Sequence, residues 1–244
     1  MSNIVSNLSI ILQRIEKACI DNKRDPAEVK LLLATKTVSA EYIKEALQVG
    51  QTLIAENKVQ EIKEKYESLR DIRHTSHFIG HLQSNKIKDI LKYDISCIQS
   101  LDRLDVAKKL QQRLEYEKKK IDVLIQINTS GEQSKFGVHP DKAIELVRSV
   151  SEFSNIQIQG LMTIGLFSAE AEKVRPCFRL LKQIQQEIIA EGIPNVNMHE
   201  LSMGMSGDLE TAIEEGATIV RVGTAIFGQR IYADSYYWNE SQIG

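Results

Sequence analysis

Neither sign of charge dominates this chain of 244 residues, in which 31 Lys and Arg stand against 33 Asp and Glu for a formal net charge of −2. That balance gives no electrostatic reason to expect nucleic acid or an anionic membrane as a partner. Cysteine is scarce: Cys19, Cys97 and Cys177 are odd in number and lack metal-type spacing. They fit buried apolar positions in a reducing compartment better than a disulfide framework. No apolar run approaches the length of a membrane span, and residues 1–12 carry no basic stretch of the kind that opens a secretory signal. A low-complexity linker, an internal sequence repeat and a G-x-G-x-x-G after the first strand-like run are all missing. The expectation is a cytoplasmic protein folded as one domain over 1–244. Its 42% hydrophobic and 26% charged residues are ordinary for a globular domain.

What the chain has is alternation. An opening amphipathic stretch, 3–22, places Ile4, Leu8, Ile11, Leu12 and Ile15 on one helical face. Strand-like apolar runs follow near 29–36, 52–57, 75–81, 95–100, 122–128, 156–164, 197–203 and 218–223. Helical patterns lie between them, at 39–49, 59–69, 85–91, 102–119, 141–153, 170–190 and 208–215. Strands alternating with helices predict parallel, right-handed β/α connections, and eight strands are the number that closes a barrel. A doubly wound open sheet is the alternative, but the dinucleotide fingerprint it favours is absent. The predicted fold is α/β, a single (β/α)8 TIM barrel with an extra N-terminal helix. The aromatic tail, 231–244, is too short to fold alone and is expected to dock its rings on the barrel.

In such a barrel the active face lies where the carboxyl ends of the strands meet. Lys36 closes the apolar run 29–35 and precedes helix-start chemistry at Ser39. A lysine there sits in partly apolar surroundings, where lost solvation disfavours the ammonium and makes the amine fit to form a Schiff base with an aldehyde. Taken alone, it is better explained by a side chain that snorkels to water. Its company singles it out. Arg221 stands inside the apolar run 218–223, where a guanidinium is costly unless a fixed acceptor meets it. The last two turns, 201–208 with Ser202 and Met203 and 222–225 with Gly223 and Thr224, offer hydroxyls and glycines. Barrels frequently hold phosphate in that pair of loops.

A lysine that traps an aldehyde, a phosphate cradle and a strand arginine together describe a pyridoxal 5'-phosphate site. Arg221 would face the pyridine nitrogen, with Asn57 and His81 lining the ring. An arginine stays protonated, so the ring nitrogen would not be, and the cofactor would be a weak electron sink. His74, His77 and His81 lack the carboxylate or cysteine that would complete a metal set. His139, before Pro140, marks a helix entry.

The segments 77–86, 128–137, 201–208 and 220–228 resemble signatures of the pyridoxal phosphate homeostasis protein family. The resemblance runs from about 12 to 230 and implies a barrel like the N-terminal domain of alanine racemase, carrying the cofactor on Lys36. It also implies that Ser202, Gly223 and Thr224 hold the phosphate, that Arg221 faces the ring nitrogen, and that Asn57 and His81 occupy pocket positions. One motif departs: the usual Gly-Glu-Asn-Tyr reads Ala55-Glu56-Asn57-Lys58 here.

The expected function is a non-catalytic carrier that buffers pyridoxal phosphate and hands it to apo-enzymes, as a monomer. The alternative is a racemase-like enzyme, which needs an acid/base on each face of the ring. Lys36 would serve one face; a two-domain racemase takes the other base from an additional domain, and only His81 or the tail tyrosines offer a substitute here. A phosphosugar enzyme with a Schiff-base lysine would need a nearby carboxylate, for which Glu56 is the candidate.

Overall fold

The structure is a computed structural model that describes residues 3–168 and 170–228, so the expected docking of the tail lies outside the described residues. The opening helix α1 spans Ile4–Asp21 and buries Ile4, Leu8, Ile11, Ile15, Ala18 and Cys19. Leu12, expected on that face, is instead 40% exposed, since a straight α-helix turns it off the narrow stripe. Eight strands then alternate with helices. They are β1 Lys30–Ala34, β2 Leu53–Glu56, β3 Thr75–Phe78, β4 Ile95–Leu101, β5 Ile121–Gln126, β6 Ile156–Met162, β7 Val196–Ser202 and β8 Ile219–Val222. The helices after α1 are α2 Ala40–Gln48, α3 Val59–Leu69, α4 Ile87–Ile90, α5 Leu104–Glu117, α6 Ala143–Ser151, α7 Ala171–Glu191, α8 Leu209–Glu214 and α9 Thr224–Phe227.

The strands pair in parallel and in sequence order, and β1 closes on β8 with Lys30 beside Ile219 and Leu33 beside Val222. Alternation along each strand sorts its side chains between two cores. Leu32, Ala55, Cys97, Leu124, Met162 and Ile219 pack together inside the barrel. Leu31, Leu33, Ile54, Val123, Ile125 and Val220 face outward into the larger core shared with the helices. Each such side chain, removed from water, contributes about 1.5–3 kcal/mol before entropy is counted. Ala55, where the family pattern has glycine, is a strand residue of the inner core and its methyl packs there. All three cysteines are buried and unbridged.

All strands but β4 stop earlier than the apolar runs suggested: β1 ends at Ala34, two residues before Lys36, and β3 ends at Phe78, three before His81. The reason is packing. Ile79 and Ile164 lie past the strand ends yet still pack on the inner core, so apolarity outlasts the hydrogen-bonded ladder. Lys36, Asn57 and His81 therefore stand on β/α loops rather than on strand tips, whereas Ser202 and Arg221 are residues of β7 and β8. Among the described residues, no helix is long and apolar enough to cross a membrane.

At the β6–β7 pair the register shifts between Ile158 and Gly160, and a Cβ at Gly160 would lie 1.9 Å from the carbonyl oxygen of Glu200. Gly160→Ala is therefore expected to destabilise by at least about 1–3 kcal/mol, the usual cost of overpacking. Urea unfolding of the two proteins measures it, and an unchanged midpoint would show that the strands have room to part.

Candidate functional site

A cavity of about 330 Å³ opens at the carboxyl mouth of the barrel, and Lys36, Arg221, Gly223 and Thr224 all line it. Ala34, Met162, Met205, Ser206, Gly207 and Asp208 complete much of the wall, and Leu166 and Phe167 of the loop after β6 form one side. Phe167 is 76% exposed, an aromatic edge at the cavity rim.

Lys36 is half-buried in the turn between β1 and α2, and the residue after it, Thr37, takes a left-handed backbone with φ 66°. That turn is held from both sides. Lys65 of α3 donates to the Thr35 carbonyl at 2.9 Å, and Thr37 N–H donates to Glu61 Oε2 at 2.5 Å. Thr35 Oγ1 donates to Glu56 Oε1 at 2.6 Å, and Lys65 bridges Glu56 and Glu61 at 2.8 and 2.9 Å. Burial pushes the Glu56 carboxyl up to about 7, against the pull of Lys65. Glu56 Oε1 holds the turn and Glu56 does not line the cavity, which leaves the phosphosugar reading without support from it. Lys65 and Glu61 were not legible as site residues, because they lie on a helix face and meet the turn only through the fold.

Arg221 projects from β8 and is buried. Its Nη2 donates to the Thr163 carbonyl at 2.7 Å and its Nη1 to Ser202 Oγ at 2.8 Å. Ser202 Oγ in turn donates to Gln99 Oε1 at 2.7 Å, and Gln99 Nε2 lies 2.7 Å from His77 Nδ1. Burial lowers His77 to about 4, so the neutral ring accepts from the Gln99 amide and every proton in the row points one way. This buried row crosses the barrel from β3 to β8. Ser202 therefore supports Arg221 from behind: it has no exposed surface and is absent from the cavity wall, contrary to the expectation that it would hold a phosphate directly. As the last residue of β7 it points into the barrel, whereas the loop beyond it reaches the mouth. Met203 is likewise fully buried, packed in the core between strands and helices.

Within this glycine turn the hydroxyl on the wall is Ser206, four residues further along, with Gly207 beside it. The motif was visible in the sequence, and the signal overlooked was that Ser206 stands nearer the start of α8. Across the cavity, Gly223 leads into Thr224 at the start of α9. A Cβ at Gly223 would lie 2.8 Å from the Ala34 carbonyl oxygen, so glycine is what lets β1 and the β8 turn come together.

Asn57 and His81 do not line this cavity. Asn57 is buried just past β2, and its Oδ1 has no hydrogen-bond partner among the described residues. His81 stacks on Phe136 with ring centroids 3.7 Å apart, and its Nδ1 lies 4.0 Å from Asp102. Burial, with Arg103 adding to it, lowers His81 to about 4. Asn128 closes its own loop, donating to the Glu132 carbonyl at 2.8 Å. His139 caps the short turn at Pro140, as expected. Among the described residues, no three His, Cys, Asp or Glu side chains are placed to hold a metal ion.

Fold and site together define an alanine-racemase-type β/α barrel, with a lysine after β1 facing an arginine of β8 and two glycine turns. The sequence family described as alanine racemase, N-terminal domain, matches residues 12–231. A relative from Aquifex aeolicus, named pyridoxal phosphate homeostasis protein, is 45% identical over 230 residues, 94% of this chain and 100% of its own. The chain belongs to the pyridoxal phosphate homeostasis protein family. A crystal structure of a Bifidobacterium adolescentis protein described as unknown superposes with a TM-score of 0.86 at 37% identity, covering 92% of this chain and 94% of that one. PipY of Synechococcus elongatus, solved with pyridoxal phosphate bound, gives 0.77 at 30% identity and covers 88% of this chain and 100% of its own.

The buried row makes stability depend on pH in a definite direction. Folded His77 takes its proton only near pH 4, whereas an unfolded histidine takes it near 6.5, so between those values the unfolded chain binds more protons. His77 therefore costs stability as pH falls through that window. Denaturant midpoints measured across it should show a shallower fall in His77→Gln than in the wild type, and equal slopes would show that His77 is not buried as a neutral ring.

Proposed function

We propose that this protein binds pyridoxal 5'-phosphate on Lys36 at the barrel mouth. It buffers the cofactor in the cytoplasm and hands it to apo-enzymes, acting as a monomer and without a reaction of its own. The observation that carries this reading is a single cavity with Lys36, Arg221, Gly223 and Thr224 on its wall. The name shared by its relatives and the cofactor bound in PipY support it.

The residues fit the group on their own chemistry. Arg221 is a buried cation whose hydrogen bonds end on a hydroxyl and a carbonyl, both neutral; Asp208 on the cavity wall acts on its charge without a hydrogen bond, and an anion in the cavity would add to that. When bound, pyridoxal phosphate supplies an aldehyde that a lysine amine can hold as a Schiff base and release again.

Lys36 provides that amine from a turn whose neighbours are anchored by Lys65 and Glu61. Ser206 and Thr224 offer hydroxyls, and the glycine turns offer backbone N–H groups, to a phosphate. Arg221 keeps its proton at neutral pH, since burial lowers it only to about 10. It therefore donates toward the ring nitrogen and leaves that nitrogen without a proton of its own. Electron withdrawal by the ring is then weak, which suits safe keeping rather than carbanion chemistry.

Lys36→Ala should lose the visible absorption of lysine-bound cofactor, and borohydride should fix the cofactor on the peptide that holds residue 36. Unchanged absorption in that variant would mean that another lysine carries it. With L-amino acids in deuterated water, the loaded protein should exchange no α-proton faster than free pyridoxal phosphate does, while passing cofactor to an apo-enzyme. Rapid α-deuteration that disappears in Lys36→Ala would overturn the carrier in favour of a racemase-like enzyme.

The phosphate contacts make a separate prediction. Ser206→Ala removes one hydrogen bond to a charged group, worth about 1.5–3 kcal/mol, so affinity for pyridoxal phosphate should fall roughly ten- to a hundred-fold. Pyridoxal, without the phosphate, should bind the variant and the wild type alike. Ser202→Ala should instead weaken both ligands together and lower stability, because it strips an acceptor from Arg221. Calorimetric titration of both ligands separates the two serines, and a phosphate-selective loss in Ser202→Ala would restore it as the direct contact.

A further inference from the structure

We propose that the N-terminal helix is part of the phosphate site: Arg14 and Asn7 of α1 are positioning residues that set the two loops of the anion cradle. This inference rests on the cradle reading above. Arg14 and Asn7 are two helical turns apart on one side of α1. Each reaches a different segment at the cavity end of the barrel. Arg14 Nη2 donates to the Ser206 carbonyl at 3.1 Å, while its Nε and Nη2 grip Glu210 of α8 at 2.7 and 2.9 Å. Asn7 Nδ2 donates to the Ile226 carbonyl of α9 at 3.0 Å. One helix therefore ties down both the loop after β7 and the short helix α9 that follows β8.

The contact at Ser206 controls more than that carbonyl. A trans peptide plane holds the Ser206 carbonyl and the Gly207 N–H in opposite directions. With the carbonyl drawn to α1, the Gly207 N–H points away from α1. Gly207 is also the residue least able to hold that plane unaided. It has no Cβ, nothing lies within 4 Å of where one would be, and glycine turns over its flanking peptide at little steric cost. Arg14 removes that freedom.

Exposure decides between this role and an ordinary brace. The side chains of Arg14 and Glu210 are 33% and 42% exposed, and ion pairs this open to water add little to fold stability. Loss of Arg14 should therefore register in ligand selectivity far more than in unfolding.

The experiment compares Arg14→Met, Arg14→Lys and Asn7→Leu with the wild type, titrating full-length protein with pyridoxal phosphate and with pyridoxal. Arg14→Met should bind pyridoxal phosphate about tenfold more weakly and pyridoxal unchanged, with the melting midpoint of the cofactor-free protein moved by no more than about 4 °C. Arg14→Lys, a point charge that can serve the carbonyl or Glu210 but not both in the same geometry, should fall between. Asn7→Leu should show the same phosphate-selective loss. The Gly207 amide resonance of cofactor-free Arg14→Met should move or broaden. Equal weakening of both ligands, or no weakening of either, would overturn the proposal and leave Arg14 a surface brace. A wild type that binds the two ligands alike would instead overturn the cradle itself, and this inference with it.

Discussion

The seam between β1 and β8 is the constraint on which the site depends. Residues 30–33 lie in register beside 219–222, and the approach is so close that a Cβ at residue 223 would press on the Ala34 carbonyl. That closure brings Lys36, near the start of the chain, to the same cavity as Thr224, near the end of the described residues. An open sheet with the same strands would leave them on opposite edges. The glycine at 223 is thus a condition for the barrel to close as much as a place for a ligand to approach.

Two buried cations among the described residues run against the usual preference for water, and both serve position. Arg221 is buried with neutral acceptors on two of its nitrogens, in a row of polar side chains that ends at the neutral ring of His77. Lys65 is buried between two carboxylates and a backbone carbonyl. Buried charges seldom repay their desolvation as stability, so their value lies in holding one geometry. Here one geometry is the guanidinium at the cavity and the other is the turn that carries Lys36.

Much of the candidate site was legible because it depends on order along the chain. Lys36, Arg221, Gly223 and Thr224 could be singled out because each stands at or just past a strand end, and a parallel barrel gathers those ends on one face. Ser202 lies behind Arg221 for a related reason. It occupies a strand end in sequence, but the strand's alternation turns it inward to Arg221, and Ser206, further along the turn, reaches the wall. Strand limits were read too long because residues such as Ile79 and Ile164 remain buried after the ladder stops.

By itself the sequence determined the eight-fold alternation, the parallel barrel, the extra helix and the lysine, since periodicity and the placement of polar residues are local properties of the chain. Tertiary structure alone decided which polar residues support the site from behind. Gln99, Lys65, Glu61, Arg14 and Asn7 come from strand interiors and helix faces, and nothing local marks them as different from other solvated or buried side chains. Four of their partners are backbone carbonyls or amides, which every residue possesses, so those pairings leave no trace in residue identity. Only the folded geometry, by bringing one particular carbonyl within reach of one particular side chain, selects them.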